Sequence, residues 1–96
     1  MDDNLILEWD EHKRRLNLRR HKFDFADCPR VFSGPVLTVI DDRYDYGEAR
    51  FQTLGLLRGS VVSVVHTEEH GVIRVISLRK ATTHEEASYF KEALEN

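Results

Sequence analysis

Ser60-Val61-Val62-Ser63-Val64-Val65-His66, the polar turn Glu68-Glu69-His70-Gly71, and Val72-Ile73-Arg74-Val75-Ile76-Ser77-Leu78 together decide the fold. The first run is apolar on both of its alternating faces, which predicts a strand at the centre of a sheet. The last run is β-branched apart from Arg74 and Ser77, and the short turn before it predicts an antiparallel hairpin. Working back, Arg58-Gly59 reads as a second tight turn and Glu48 to Leu57 as the strand that precedes it. Val36 to Ile40 reads as the first strand of the meander, bounded by Ser33-Gly34-Pro35 and the polar loop Asp41 to Gly47. Working forward, Thr82-Thr83-His84-Glu85 has a capping-box pattern. It opens a last helix with Ala87, Phe90 and Leu94 as its apolar stripe.

Ahead of the strands, Leu5-Ile6-Leu7-Glu8-Trp9 is a short strand or an anchored extended segment. Asp10 reads as an N-cap and Glu11 as first-turn negative charge for a helix running to about Lys22. Its inner face is predicted as Trp9, His12, Leu16 and Phe23, with Lys13, Arg14, Arg19 and Arg20 turned outward. A second helix is expected over Phe25 to Phe32. Pro29 either forces it to start at an Asp27 cap or distorts it. The predicted fold class is α+β: two N-terminal helices, a four-stranded antiparallel sheet and a C-terminal helix, in a single domain 1–96.

The chain of 96 residues is 41% hydrophobic, enough for one modest core. Its net charge of −3 hides an asymmetry, because half of the Lys and Arg lie within the first 30 residues. A local basic patch of this kind is compatible with a short RNA. One cysteine, Cys28, excludes an internal disulfide framework and fits a reducing cytosol. No run approaches the ~20 apolar residues of a membrane span, and the acidic start Met1-Asp2-Asp3-Asn4 does not resemble a signal peptide. The expectation is a cytoplasmic protein with no membrane association.

Four groups of residues are candidates for a site. The basic run Lys13 to Lys22, with Arg14, Arg15, Arg19, Arg20 and His21, reads as a phosphate-backbone rail, a solvated helix face or a dock for an acidic partner. Glu48 and Arg50, two apart on a predicted strand, share a face. They read as a general base beside a phosphate-binding guanidinium, or as a cross-strand ion pair. Arg74, Arg79 and Lys80 bring cations to a strand end. Regular alternation puts Arg74 and Lys80 on one face and Arg79 on the other, unless the strand bulges near Ser77. Glu85 and Tyr89 lie one helical turn apart, so Tyr89 either stacks on a base or fills the rim of the core. His66-Thr67-Glu68-Glu69-His70 matches a zinc-protease string, but that chemistry needs a helix and this segment reads as a hairpin tip, so no metal is expected.

Glu8-Trp9-Asp10-Glu11, Lys13, Asn17, His21, Phe25, Phe32, Pro35, Tyr46-Gly47-Glu48-x-Arg50, Gly55, Arg74-Val75-Ile76-Ser77-x-Arg79-Lys80-Ala81-Thr82, Glu85 and Tyr89 together resemble the BrnT ribonuclease toxins. The resemblance implies a toxin of a type II toxin–antitoxin pair with a RelE-like fold that cleaves RNA without a metal or other cofactor. It also implies a BrnA-type antitoxin partner with a ribbon-helix-helix DNA-binding portion, assembled with the toxin as a two-plus-two heterotetramer. On this reading Glu48 is the base, with His21 its rival, and Arg50, Arg79 and Lys80 hold the scissile phosphate. Tyr89 positions a base. Arg74 is a further phosphate contact or the ion-pair partner of Glu48, and Lys13 and Arg20 line the RNA path. The alternative from another class is a non-enzymatic α+β module whose basic helix docks an acidic peptide.

Overall fold

The computed structural model describes residues 5–95. The acidic start Met1 to Asn4 therefore lies outside the described residues. The described chain is α+β, with a five-stranded mixed sheet. Strand β1 covers Ile6–Glu8, β2 Leu37–Ile40, β3 Phe51–Leu57, β4 Ser60–Glu69 and β5 Val72–Lys80. Helix α1 covers Glu11–His21, α2 Cys28–Ser33 and α3 Thr83–Tyr89. The spatial order β1-β5-β4-β3-β2 puts β4 in the middle, as its two-sided apolar pattern requires. Among the described residues, no helix is long and apolar enough to cross a membrane.

The meander β2 to β5 is antiparallel throughout. Both of its tight turns use a left-handed pair, Arg58 and Gly59 at φ 50° and 81°, then His70 and Gly71 at 54° and 80°. Two successive positive φ values match the twist of the flanking strands. The fifth strand corrects the expected count. Leu5 to Trp9 forms β1, which pairs parallel with the start of β5, Ile6 opposite Val72 and Glu8 opposite Arg74.

A second departure lies inside β5. Val65 pairs with Ser77 but the next residue, His66, pairs with Val75, so Ile76 is an extra residue opposite no partner. This bulge shifts the alternation of everything after it. Ile73, Val75 and Leu78 all reach the larger core cluster with Val62 and Val64. Ser77 and Arg79 therefore share the opposite face with Arg74.

The larger cluster is covered by Phe25, Cys28 and Val31, with Trp9, Phe23 and Phe32 at its margin. Cys28 is fully buried there, and burial pushes its thiol up to about 12. The expected second helix is split. Asp24 caps a short 3-10 turn over Phe25–Asp27, and α2 begins at Cys28 with Pro29 in its first turn, where no intrahelical N–H is needed. Helix α2 lies so close to β3 that a Cβ on Gly55 would stand 2.7 Å from Val31 Cγ1. His66, also fully buried, stacks on Phe51 and meets Phe32 edge-on. Its Nδ1 faces the Thr67 carbonyl at 3.4 Å and must donate. In the neutral ring Nε2 then accepts from Thr53 Oγ1 at 2.7 Å, which in turn accepts from Thr38 Oγ1 at 2.8 Å.

Two helices present faces other than those expected. Asp10 caps α1 as predicted, accepting from the Lys13 N–H at 3.1 Å. His12 and Leu16 are exposed, however, and the buried residue of α1 is Asn17. Its amide donates to the Leu78 and Phe23 carbonyls at 2.8 and 3.0 Å and accepts from the Leu78 N–H at 3.1 Å. Beyond the three residues paired with β1, the outer edge of β5 has no strand beside it, and Asn17 takes a strand's place there. Helix α3 begins with the predicted capping box of Thr82 and Glu85. That start turns Tyr89 and Ala93 toward Leu54, Val61 and Ala81, leaving Phe90 and Leu94 about two-fifths exposed.

Candidate active site

The face of the sheet opposite the larger core is only partly covered, by α3 at one end. Gln52 of β3, Ser63 and Val65 of β4, and Arg74, Ser77 and Arg79 of β5 all point to it. At the centre is Glu85. It accepts from Arg79 at 2.8 and 3.0 Å, from Gln52 at 2.8 Å and from the Thr82 N–H at 2.9 Å. The Arg79 guanidinium holds the Glu85 carboxyl down at about 2. A carboxylate so low is a poor base at neutral pH. Three of the five N–H donors of Arg79 go to Glu85 and the Lys80 carbonyl, leaving Nε and one terminal N–H.

Beside this face, between α1 and the free edge of β5, runs a groove of about 200 Å³ lined by Lys13, Leu16, Asn17, Arg20, His21, Ile76 and Ser77. Asn17 fixes the helix against the strand, and the bulge at Ile76 shapes the opposite wall. Lys13 and Arg20 form no ion pair among the described residues. His21 lies close enough to Arg20 and Arg79 to feel their charge, and burial followed by those two cations lowers its pKa below 6.5. A histidine kept neutral between cations is suited to take a proton beside a bound anion.

The structure separates residues that the sequence had placed in one clamp. Strand β3 starts at Phe51, so Glu48 and Arg50 sit in the preceding loop rather than on a strand. They still meet, Arg50 Nε to Glu48 Oε2 at 3.2 Å. Glu48 lines a different recess, shared with Glu8, Thr67, Glu69, His70, Val72 and Arg74. Its acidic wall repels a phosphate. Arg74 is paired with Glu8 at 2.9 Å, not with Glu48. It lies five residues from Arg79 on the same face, across the bulge. Lys80 follows Leu78 in alternation and is exposed on the face opposite Arg79. Tyr89 cannot stack on a base: it is fully buried, and its hydroxyl donates to the Pro35 carbonyl at 2.8 Å.

Nor is the basic run a continuous rail. Arg14 is held by Glu11 at 2.6 Å and Asp24 at 3.0 Å, and Lys22 Nζ donates to the Arg19 carbonyl at 3.0 Å. The zinc-like string runs as strand into turn. His66 is sealed in the core and His70 is exposed, four residues and ~13 Å further along.

No curated protein matches the chain. A family model described as "Ribonuclease toxin, BrnT, of type II toxin-antitoxin system" matches residues 9–85. That span holds α1, the whole meander and the start of α3. The chain belongs to the BrnT family of type II toxin–antitoxin ribonuclease toxins.

Proposed function

We propose that this BrnT-family toxin cleaves RNA without a metal ion, in the groove between α1 and β5, with His21 rather than Glu48 as general base. The observation that carries the reading is the convergence of two unpaired cations, Lys13 and Arg20, on a partly buried, uncharged imidazole. A scissile phosphate drawn into the groove meets Lys13 and Arg20, with the spare donors of Arg79 nearby. His21 takes the proton from the 2′-hydroxyl, and the 2′-oxygen attacks phosphorus. The bond from phosphorus to the 5′-oxygen breaks, and the departing oxygen takes a proton from solvent. The products are a 2′,3′-cyclic phosphate and a 5′-hydroxyl end. The cations stabilise the charge that builds on the phosphoryl oxygens.

Chain 1–96 acts on this reading as one RelE-like domain in the cytoplasm, where its RNA substrate is. The partner is a BrnA-type antitoxin with a ribbon-helix-helix DNA-binding portion, in a two-plus-two heterotetramer. Membership of a type II family supports an antitoxin partner. The test is purified toxin on RNA in excess EDTA. Cleavage continues, cyclic-phosphate ends appear, and His21→Ala lowers the rate by ~10²-fold or more. Cleavage lost in EDTA and restored by a divalent cation overturns the metal-free reading. Full activity of His21→Ala removes His21 from the chemistry.

A further inference from the structure

Between β2 and β3, residues 41–50 form neither helix nor strand, yet the loop is built from within. Its ends are closed by the Asp41 N–H donating to the Arg50 carbonyl at 2.8 Å. The Asp41 carboxylate, almost wholly buried, accepts from Arg43 Nε and a terminal nitrogen at 2.8 and 3.0 Å and from the Tyr46 hydroxyl at 3.4 Å. The Arg50 guanidinium lies 4.0 Å from the centroid of the Tyr46 ring. Against that ring stands Tyr44, 5.8 Å away and edge-on at 75°, with 71% of its surface exposed. Of the three tyrosines, Tyr89 is sealed and Tyr46 is half-buried. Tyr44 alone offers a free aromatic face.

The loop is not itself a phosphate site. Asp41 and Glu48 neutralise Arg43 and Arg50, and Asp45 accepts from the Gly47 N–H at 3.0 Å. What it presents is a π surface on a fixed base, two strands across the sheet from the groove. Gln52, two residues past the loop, stands in one row with Val65 and with Ser77 of the groove wall across β3, β4 and β5, so the loop leaves the sheet about 10 Å from the groove, and Arg43 is close enough to Arg79 to oppose its charge. Base and phosphate of one nucleotide strand would thus be held by separate parts of the molecule, stacking on the loop and charge in the groove.

We propose that Tyr44 is a nucleobase platform that stacks an unpaired base of single-stranded RNA whose backbone lies in the α1–β5 groove. The inference rests on the ribonuclease reading of that groove. The test uses a fluorescent 2′-O-methyl RNA oligonucleotide, which cannot be cleaved, and reads binding by anisotropy. Tyr44→Ala weakens binding about tenfold or more and Tyr44→Trp retains it, because the ring face and not the hydroxyl does the holding. On an abasic oligonucleotide of the same length, wild type and Tyr44→Ala bind equally. Equal affinity of wild type and Tyr44→Ala for the intact strand overturns the platform, as does an equal loss on intact and abasic strands. It is overturned too if wild type does not bind the intact strand. Cleavage of unmodified RNA keeps the two ideas apart. Ring-dependent binding with no cleavage by wild type leaves the platform standing and refutes the groove chemistry, and cleavage with ring-independent binding does the reverse.

Discussion

Replacing Asn17 tests the contact that positions the whole candidate site. Its side chain makes three hydrogen bonds, two to the edge of β5 and one to the Phe23 carbonyl, and is 8% exposed. Each such bond nets about 1 kcal/mol, so Asn17→Ala removes about 3 kcal/mol, less what water recovers at an edge position. A loss of about 2 to 3 kcal/mol in a domain of this size lowers the melting temperature by roughly 10 to 20 °C. Asn17→Asp sharpens the test, because it keeps shape and volume but aims an oxygen at two carbonyls. It is expected to be at least as unstable as Asn17→Ala at neutral pH, and to recover in part once acid protonates it. The assay is reversible thermal and urea unfolding of the purified variants followed by circular dichroism. A loss below about 1 kcal/mol for Ala, or an Asp variant more stable than Ala, refutes the claim that amide donation holds α1 to the sheet.

Two further predictions concern stability. A methyl group added at Gly55 must displace Val31, so Gly55→Ala costs about 1 to 3 kcal/mol; a neutral change in unfolding midpoint refutes the close packing of α2 on β3. The fold also weakens in acid, because several groups have lowered folded pKa values, among them His21 and His66 of the histidines and Glu11, Asp24, Asp41 and Glu85 of the carboxylates. His66 is kept neutral by burial, so its contribution is full above 6.5 and is lost as pH falls below that value. Glu85 contributes fully above 4.5 and loses that contribution as pH falls toward about 2. The melting temperature therefore drops in two stages, with His66→Gln reducing the upper and Glu85→Gln the lower. A melting temperature constant from pH 7 to 3 contradicts both.

What the sequence showed was the part fixed by local chemistry. The left-handed turns at Arg58-Gly59 and His70-Gly71, the Asp10 cap and the Thr82–Glu85 capping box each follow from a few neighbouring residues. The apolar run of β4 announced its central place. The parallel pairing of β1 depends on a partner more than sixty residues away, which no local pattern encodes. The inward face of α1 was misread because its deepest contact is a polar amide, while Leu16 and Leu18 remain exposed. A Tyr at helical spacing from Glu85 gave no sign of whether its ring pointed in or out. Glu48 and Arg50 seemed to be strand residues because nothing in Tyr46-Gly47-Glu48-Ala49-Arg50 marks where the loop stops. Tyr44 had no signal beyond being an aromatic in a polar segment.

The unpartnered Ile76 works like a shift of reading frame carried out in space. Upstream of it Ile73 and Val75 enter the core; downstream Leu78 does, with Lys80 exposed beyond it on the same face. Deleting Ile76 would leave Arg79 on its present face, whereas regular alternation with the residue kept would carry the guanidinium to the other side and bring Lys80 in its place. When related chains are aligned, a gap at this position with the Arg-Lys order kept would mark the same spatial arrangement without the bulge, and an exchanged order at full length would mark a strand in regular alternation.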